Sequence, residues 1–234
     1  MKMKQPLLLI DADDTLWESA LFFERAEDDF AGIMKCLGQP DELVRNTVHQ
    51  RDIQRLEQTG YGARPYMDTL AEIMSELVPS PPSWALASLD SIRGNLLHHP
   101  VILLPGVRET METLSSMPFR TLVYTMGEED HQADKYRRAM LDDLVEGIEI
   151  VERKNVNSLR ELISKHDSSP EETMMVGNSP RSDINPATAL GVKAVYLQRE
   201  RTWAAEHQDL RDPGMVTVIH SFPQLLDHLD IFNN

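Results

Sequence analysis

The stretch Leu7-Leu8-Leu9-Ile10-Asp11-Ala12-Asp13-Asp14-Thr15-Leu16 sets the reading of the whole chain. A run of branched apolar residues this short reads as a strand buried on both faces, and it ends directly in acids and a hydroxyl. In open α/β sheets, ligands and catalytic groups gather at the carboxyl ends of strands. Two carboxylates at i and i+2 just past a strand end, here Asp11 and Asp13, reach one pocket if the chain curls there. They repel each other and are costly to desolvate unless a cation or a proton compensates. A bound Mg²⁺ would compensate, leaving Asp11 ionised as a nucleophile and Asp13 free for proton transfer. The competing reading makes the acids an N-cap for the following helix, although one acid is enough for a cap.

Working outward, further short apolar runs read as buried strands: Thr121–Tyr124, Gly147–Val151, Met174–Gly177, Ala194–Leu197 and, more weakly, Val216–Ile219. Between them, helical spacing appears in Gly106–Met117 through Val107, Met111 and Leu114, and in Val156–His166 through Leu159, Leu162 and Ile163. Ile184–Leu190 reads as a short helix closed by Gly191. Strands alternating with helices predict an α/β fold, a doubly wound parallel sheet covered on both faces.

One gap breaks that rhythm. Between Ile10 and Thr121 lie 110 residues, whereas a βαβ unit needs only about 30. The gap carries four helical stripes: Phe22 to Leu37, Val44 to Leu56, Met67 to Leu77 and Leu86 to Leu96. Amphipathic helices of this kind bury their stripes against each other as a bundle. The expected organisation is therefore an α/β core from residues 1–16 and 100–234, with a helical insertion at 17–99.

Other predicted strands also end in polar groups. Thr125-Met126-Gly127 follows the second strand, where a hydroxyl and free backbone N–H groups can hold a phosphate. Lys154 follows the third, placed to neutralise a phosphate and a carboxylate together, unless it is simply a solvated member of the run Glu152-Arg153-Lys154. The fourth strand runs into Gly177-Asn178-Ser179-Pro180-Arg181-Ser182-Asp183. There Asp183 can ligate Mg²⁺ and the Asn178 amide oxygen can be a neutral second ligand, or Asp183 can cap the next helix. Trp17, Glu18, Phe22 and Phe23 can line an entrance, though packing alone also explains them; the same holds for Trp203. Gly60-Tyr61-Gly62 is either an inserted loop facing the site or an ordinary interhelical turn.

Composition narrows the partners. The chain has 23 basic and 38 acidic residues, a net charge of −15. That argues against a general nucleic-acid binder, because phosphate backbones are held mainly by Lys and Arg. It also slows an anionic substrate at low salt, so Mg²⁺ and Lys154 must supply local attraction, which suits a small monoester better than a polyanion. Cys36 is the single cysteine, so no intramolecular disulfide forms, and this suits a reducing cytosol. No run approaches the roughly 18 apolar residues of a membrane span, and Leu7–Ile10 is too short for a signal peptide's apolar region. The expectation is a complete, soluble, cytoplasmic protein.

The ordered set resembles the haloacid dehalogenase-like superfamily over most of the chain. Asp11-Ala12-Asp13-Asp14-Thr15 is similar to that family's first motif, DxDxT, while Thr125, Lys154 and Asn178 to Asp183 stand where its other motifs fall. The resemblance implies a doubly wound core with a helical cap inserted after the first motif, closing over the site and choosing the substrate. It also implies Asp11 as nucleophile, Asp13 as general acid/base, and Mg²⁺ held by Asp11, Asp13, Asn178 and Asp183. Thr125, Met126, Gly127 and Lys154 become phosphate contacts, with Trp17 and Tyr61 as substrate contacts from the entrance and cap. One departure is Gly177-Asn178, where the family often has Gly-Asp, which lowers the charge at the metal. The second aspartate favours a phosphatase acting on a small metabolite or phosphoprotein through an aspartyl-phosphate, over a metal-free dehalogenase. A phosphomutase and a phosphate-binding protein with weak turnover are the alternatives.

Overall fold

The computed structural model describes residues 5–59, 62–201, 206 and 208–233. Six strands form one parallel sheet: β1 (Leu7–Ile10), β2 (Arg120–Met126), β3 (Gly147–Val151), β4 (Thr173–Gly177), β5 (Lys193–Leu197) and β6 (Val216–Ile219). Their order is β3-β2-β1-β4-β5-β6. The chain thus builds outward on one side of β1, then crosses back and builds outward on the other. That reversal beside β1 is the topological switch point at which α/β sheets open a crevice.

β1 is fully buried, and its alternation explains why an unbroken apolar run was required. Leu8 and Ile10 join one core cluster with Val123, Val176 and Met111, while Leu7 and Leu9 join another with Leu122, Leu159 and Ile163. Ile10 pairs in register with Val123 and Val176, so β1 stops one residue short of the end of β4 and three short of the end of β2.

The helices of the sheet unit are α5 (Val107–Ser115), α6 (Glu129–Ala139), α7 (Val156–Lys165) and α8 (Asn185–Ala189). α6 has no counterpart in the apolar pattern. Its buried residues are His131, Gln132, Lys135 and Ala139, so the face turned inward is mostly polar. The helix expected over Ile184–Leu190 is present as α8, and a wide helical turn, Pro180–Ile184, leads into it.

The chain divides into two compact units, one comprising Met1–Glu18 and Val101–Asn234, the other Ser19–Pro100. The second is wholly helical: α1 (Ala20–Cys36), α2 (Asp41–Thr59), α3 (Ala63–Leu77) and α4 (Ser83–Leu97). Its core takes Phe22, Phe30, Val44, Met67, Leu70, Ile73, Leu89 and Ile92 from the stripes read in the sequence and adds Met34, whereas Ile53 and Leu86, read into those stripes, are exposed. No described helix is long and apolar enough to cross a membrane.

Candidate active site

Beyond β1 the chain curls as two converging carboxylates require. The Ala12 carbonyl accepts the N–H groups of Thr15, Leu16 and Trp17, and the Asp14 N–H donates to Trp17 O at 2.7 Å. Asp14 takes the left-handed conformation (φ 61°), which a short polar residue tolerates. The N-cap reading fails: α1 begins at Ala20, with no acid in its first turn and no side-chain cap.

Asp11 sits where the sheet delivers it, its N–H bonded to Val176 O at 2.9 Å. One carboxylate oxygen accepts the Lys154 Nζ and the other accepts the Thr15 hydroxyl at 2.9 Å. Lys154 comes from the loop between β3 and α7, whose N-terminus is fixed by an Asn155 capping box with Ser158. Its ammonium also donates to Asp183 at 2.8 Å and lies 4.9 Å from the centre of the Tyr124 ring. Burial works against the Lys154 charge, but Asp11 and Asp183 outweigh it and raise its proton affinity. Burial pushes Asp11 and Asp183 upward from the usual carboxylate range, because one ammonium is shared between two desolvated acids.

Asp183 is held over the end of β4. Its second oxygen accepts the Ser179 N–H at 3.0 Å. A Cβ on Gly177 would stand 2.2 Å from that carboxylate, so only glycine fits beneath it. The Asn178 amide oxygen points back to the Thr15 hydroxyl, 3.3 Å away. Behind this loop the buried Glu206 accepts the hydroxyls of Ser179 and Ser182. Nothing in the local sequence around Glu206 signals that contact, which joins residues 24 and 27 positions apart.

Asp13 faces a different set of donors. One oxygen accepts Trp17 Nε1 at 2.7 Å and Lys135 Nζ at 2.6 Å; the other accepts Lys135 Nζ at 2.8 Å and Gln132 Nε2 at 2.8 Å. Burial alone would raise its pKa, but Lys135, with help from Gln132 and Trp17, overrides that and holds it at about 2. Both oxygens of the Asp13 carboxylate are thus occupied by their own donors, while its charge still acts on Asp11 and helps to raise it. Trp17, expected at an entrance, is fully buried, and its indole serves Asp13 instead. Sequence reasoning missed Lys135 and Gln132 because both lie on α6.

The last residues of β2 and Gly127 after them are also differently used. Thr125 is buried at the end of the strand. The Met126 carbonyl accepts Gln132 Nε2 at 2.8 Å. The Gly127 N–H, expected to be available to a phosphate, donates to Val151 O at 3.0 Å, so it is already spent on the strand ladder. Gly127 matters in another way. Its φ of 135° and its missing Cβ, which would sit 3.0 Å from Gln132 Nε2, make room for the Gln132 side chain. Tyr61 and Trp203 lie outside the described residues.

Together these groups form two carboxylates on one lysine, one carboxylate on another, and an amide oxygen at the ends of β1 and β4. Asp11, Asp183 and Asn178 offer oxygen donors only, the chemistry that suits a hard divalent cation. Among the described residues, no three acids, cysteines or histidines come together as a ready-made metal cluster. The fit therefore rests on two carboxylates and an amide. Asp11, Asp13 and Asp183 against Lys135 and Lys154 leave one negative charge uncompensated.

Known proteins resemble this chain over nearly its whole length. A glyceraldehyde 3-phosphate phosphatase of Pyrococcus furiosus is 24% identical over 231 residues, covering 96% of this chain and 92% of its own length. One from Methanothermobacter thermautotrophicus is 25% identical over 229 residues, covering 95% and 98%. The crystal structure of a haloacid dehalogenase-like family hydrolase from Xanthomonas campestris superposes with a TM-score of 0.79 at 25% identity, covering 98% of this chain and 97% of that one. The family model of haloacid dehalogenase-like hydrolases matches residues 6–191, and the chain belongs to that family.

Proposed function

We propose that this chain is a Mg²⁺-dependent phosphatase that hydrolyses a small phosphate monoester through an aspartyl-phosphate on Asp11. The observation that carries the reading is the division of labour within one loop. Asp11 is bonded to Lys154 and Thr15, while Asp13, two residues on, is held separately by its own donors. A nucleophile and a proton-transfer group are thus distinct and adjacent, as a double-displacement hydrolysis requires.

In the first half-reaction an Asp11 oxygen attacks phosphorus, the bond to the ester oxygen breaks, and that oxygen leaves with the proton that Asp13 carries, which leaves Asp13 ionised. Lys154, bonded to Asp11, offsets negative charge as the phosphoryl group arrives. In the second, water gives a proton to Asp13 and its oxygen attacks the phosphorus of the aspartyl-phosphate, releasing inorganic phosphate and restoring Asp11. Asp13 is ionised in the observed arrangement, the form that accepts a proton. Asp11, Asp183 and Asn178 are the residues that would hold Mg²⁺. When bound it would neutralise charge between nucleophile and phosphate, an effect worth several kcal/mol.

Glyceraldehyde 3-phosphate, the substrate named for the archaeal relatives, is the first candidate to test, and the helical unit Ser19–Pro100 is the part we assign to substrate selection. Purified protein is assayed for phosphate release from p-nitrophenyl phosphate, glyceraldehyde 3-phosphate and a panel of phosphorylated metabolites, with Mg²⁺ and with EDTA. Mg²⁺-dependent release that disappears in Asp11→Asn is the expected result. Release that is absent, or unchanged in Asp11→Asn, refutes the reading.

A further inference from the structure

α6 turns an unusual face inward. Its buried positions include Gln132, 5% exposed, and Lys135, 2% exposed. Burying a lysine ammonium costs several kcal/mol unless it is paired and hydrogen-bonded, and a sheet-covering helix ordinarily buries apolar residues instead. Lys135 reaches both oxygens of Asp13, at 2.6 and 2.8 Å. Gln132 bonds Asp13 and the Met126 carbonyl through the same amide nitrogen, and Gly127 leaves space for it. Trp17 completes the set from the other side. A carboxylate gripped by three side chains from two segments cannot rotate about its side-chain bonds without losing several charge-assisted hydrogen bonds.

We propose that Lys135 and Gln132 are positioning residues that fix the Asp13 carboxylate for taking the proton from the water that hydrolyses the aspartyl-phosphate. This inference rests on the phosphatase reading and deepens it by assigning α6 to the second half-reaction. Lys135 itself does not touch substrate; it acts through Asp13. The proton passes from water to an Asp13 oxygen while the new oxygen–phosphorus bond forms and the bond between phosphorus and the Asp11 oxygen breaks.

The test separates the two half-reactions. p-Nitrophenol is a good leaving group, so kcat/KM for p-nitrophenyl phosphate reports phosphoryl transfer to Asp11, whereas kcat includes hydrolysis of the intermediate. For Lys135→Met we expect kcat to fall by roughly 100-fold, the size of an acid–base contribution. We expect kcat/KM to change by less than about threefold, and a rapid burst of about one p-nitrophenol per enzyme molecule to precede slow turnover. Lys135→Arg, which keeps the charge, should recover part of kcat. Gln132→Ala, which leaves the ion pair intact, should show the same pattern more weakly and serves if Lys135→Met does not fold. In an Asp13→Ala background, Lys135→Met should have no further effect, since both act through one carboxylate. Equal losses in kcat and kcat/KM without a burst would overturn the assignment. So would a raised KM at unchanged kcat, which would mark Lys135 as a phosphate ligand, or an undiminished effect in the Asp13→Ala background. A wild-type protein that releases no phosphate brings down the functional reading itself, an outcome distinct from an active enzyme whose Lys135 variants behave in these other ways.

Discussion

Lys154 and Lys135 are both buried and both paired with an aspartate of the same loop, yet they leave their partners in opposite states. Lys154 is divided between Asp11 and Asp183, and both carboxyls are pushed upward. Lys135 serves Asp13 alone, with Gln132 and Trp17 as additional donors, and Asp13 is held at about 2. Burial opposes ionisation at all three aspartates, so the number of donors per carboxylate decides the outcome. The Lys154 arm is short of positive charge and is where a divalent cation and then a phosphate have something to neutralise. The Lys135 arm is electrically complete and is suited to holding one group still.

The largest effect should come from breaking the Lys154 arm at its centre. Asp11→Asn removes the nucleophile and is expected to lower phosphate release by at least about 10³-fold, measured with p-nitrophenyl phosphate at saturating Mg²⁺. The fold should persist, since the amide oxygen can still accept Lys154 while its NH2 donates to the Thr15 hydroxyl oxygen. A variant retaining a tenth of the activity would remove Asp11 from the chemistry.

The helical unit offers a third case, a buried carboxylate without a cation. Asp52 is 8% exposed, close to Glu27, and no described basic side chain pairs with it. Burial, with a smaller push from Glu27, raises it from 3.8 to about 7. The folded state therefore keeps a proton that the unfolded chain gives up above pH 3.8. That penalty is absent below 3.8, grows as pH rises, and is full once pH passes about 7. Asp52→Asn removes it, so the variant should be more stable than wild type by up to a few kcal/mol at pH 8 and nearly matched to it below pH 4. Thermal melts across that range read the difference. A gap that does not widen with pH would mean Asp52 has a partner or water that ionises it freely.

Much of this was legible before any coordinates. β1 falls on the run read as a strand because a central parallel strand buried on both faces leaves an uninterrupted apolar segment; the edge strands β3 and β6 also match, although Glu149 and Thr217 interrupt them and they are only partly buried. Asp11, Lys154 and Asp183 were readable because each follows such a run. α6 was not, for a physical reason: its inward face carries Gln132 and Lys135, which satisfy Asp13 rather than a hydrophobic core, so apolar periodicity had nothing to register. The surviving signals were acids in its first turn, Glu129 and Asp130, and bases in its last, Arg137 and Arg138, matching the helix dipole. Gly127 was noticed for its N–H, whereas its use is the space that its missing side chain leaves. Glu206 was invisible because its contacts join a distant segment to the loop after β4.

Asn178 gives a way to sharpen the contrast between the two lysine arms. Asn178→Asp adds a carboxylate to the arm already short of positive charge. It should lower the Mg²⁺ concentration for half-maximal activity by about tenfold and depress the melting temperature in EDTA, because like charges then meet without a counterion. An unchanged Mg²⁺ requirement would take Asn178 out of the donor set.

The smallest effect belongs to the complete arm. Trp17→Phe keeps a buried ring and deletes one neutral donor, the indole N–H to Asp13. Lys135 and Gln132 still hold both oxygens of that carboxylate. The lost hydrogen bond is worth about 1 kcal/mol, and the smaller ring leaves a modest cavity in the core cluster to which Trp17 belongs. Stability should therefore fall by roughly 1–2 kcal/mol, while kcat falls only a few-fold and the Mg²⁺ requirement stays where it was. If Trp17→Phe instead matched Lys135→Met in kcat, the orientation of Asp13 would depend on the indole as much as on the ammonium. The grip on Asp13 would then be a matter of geometry shared equally among its donors, not of the charge that Lys135 alone supplies.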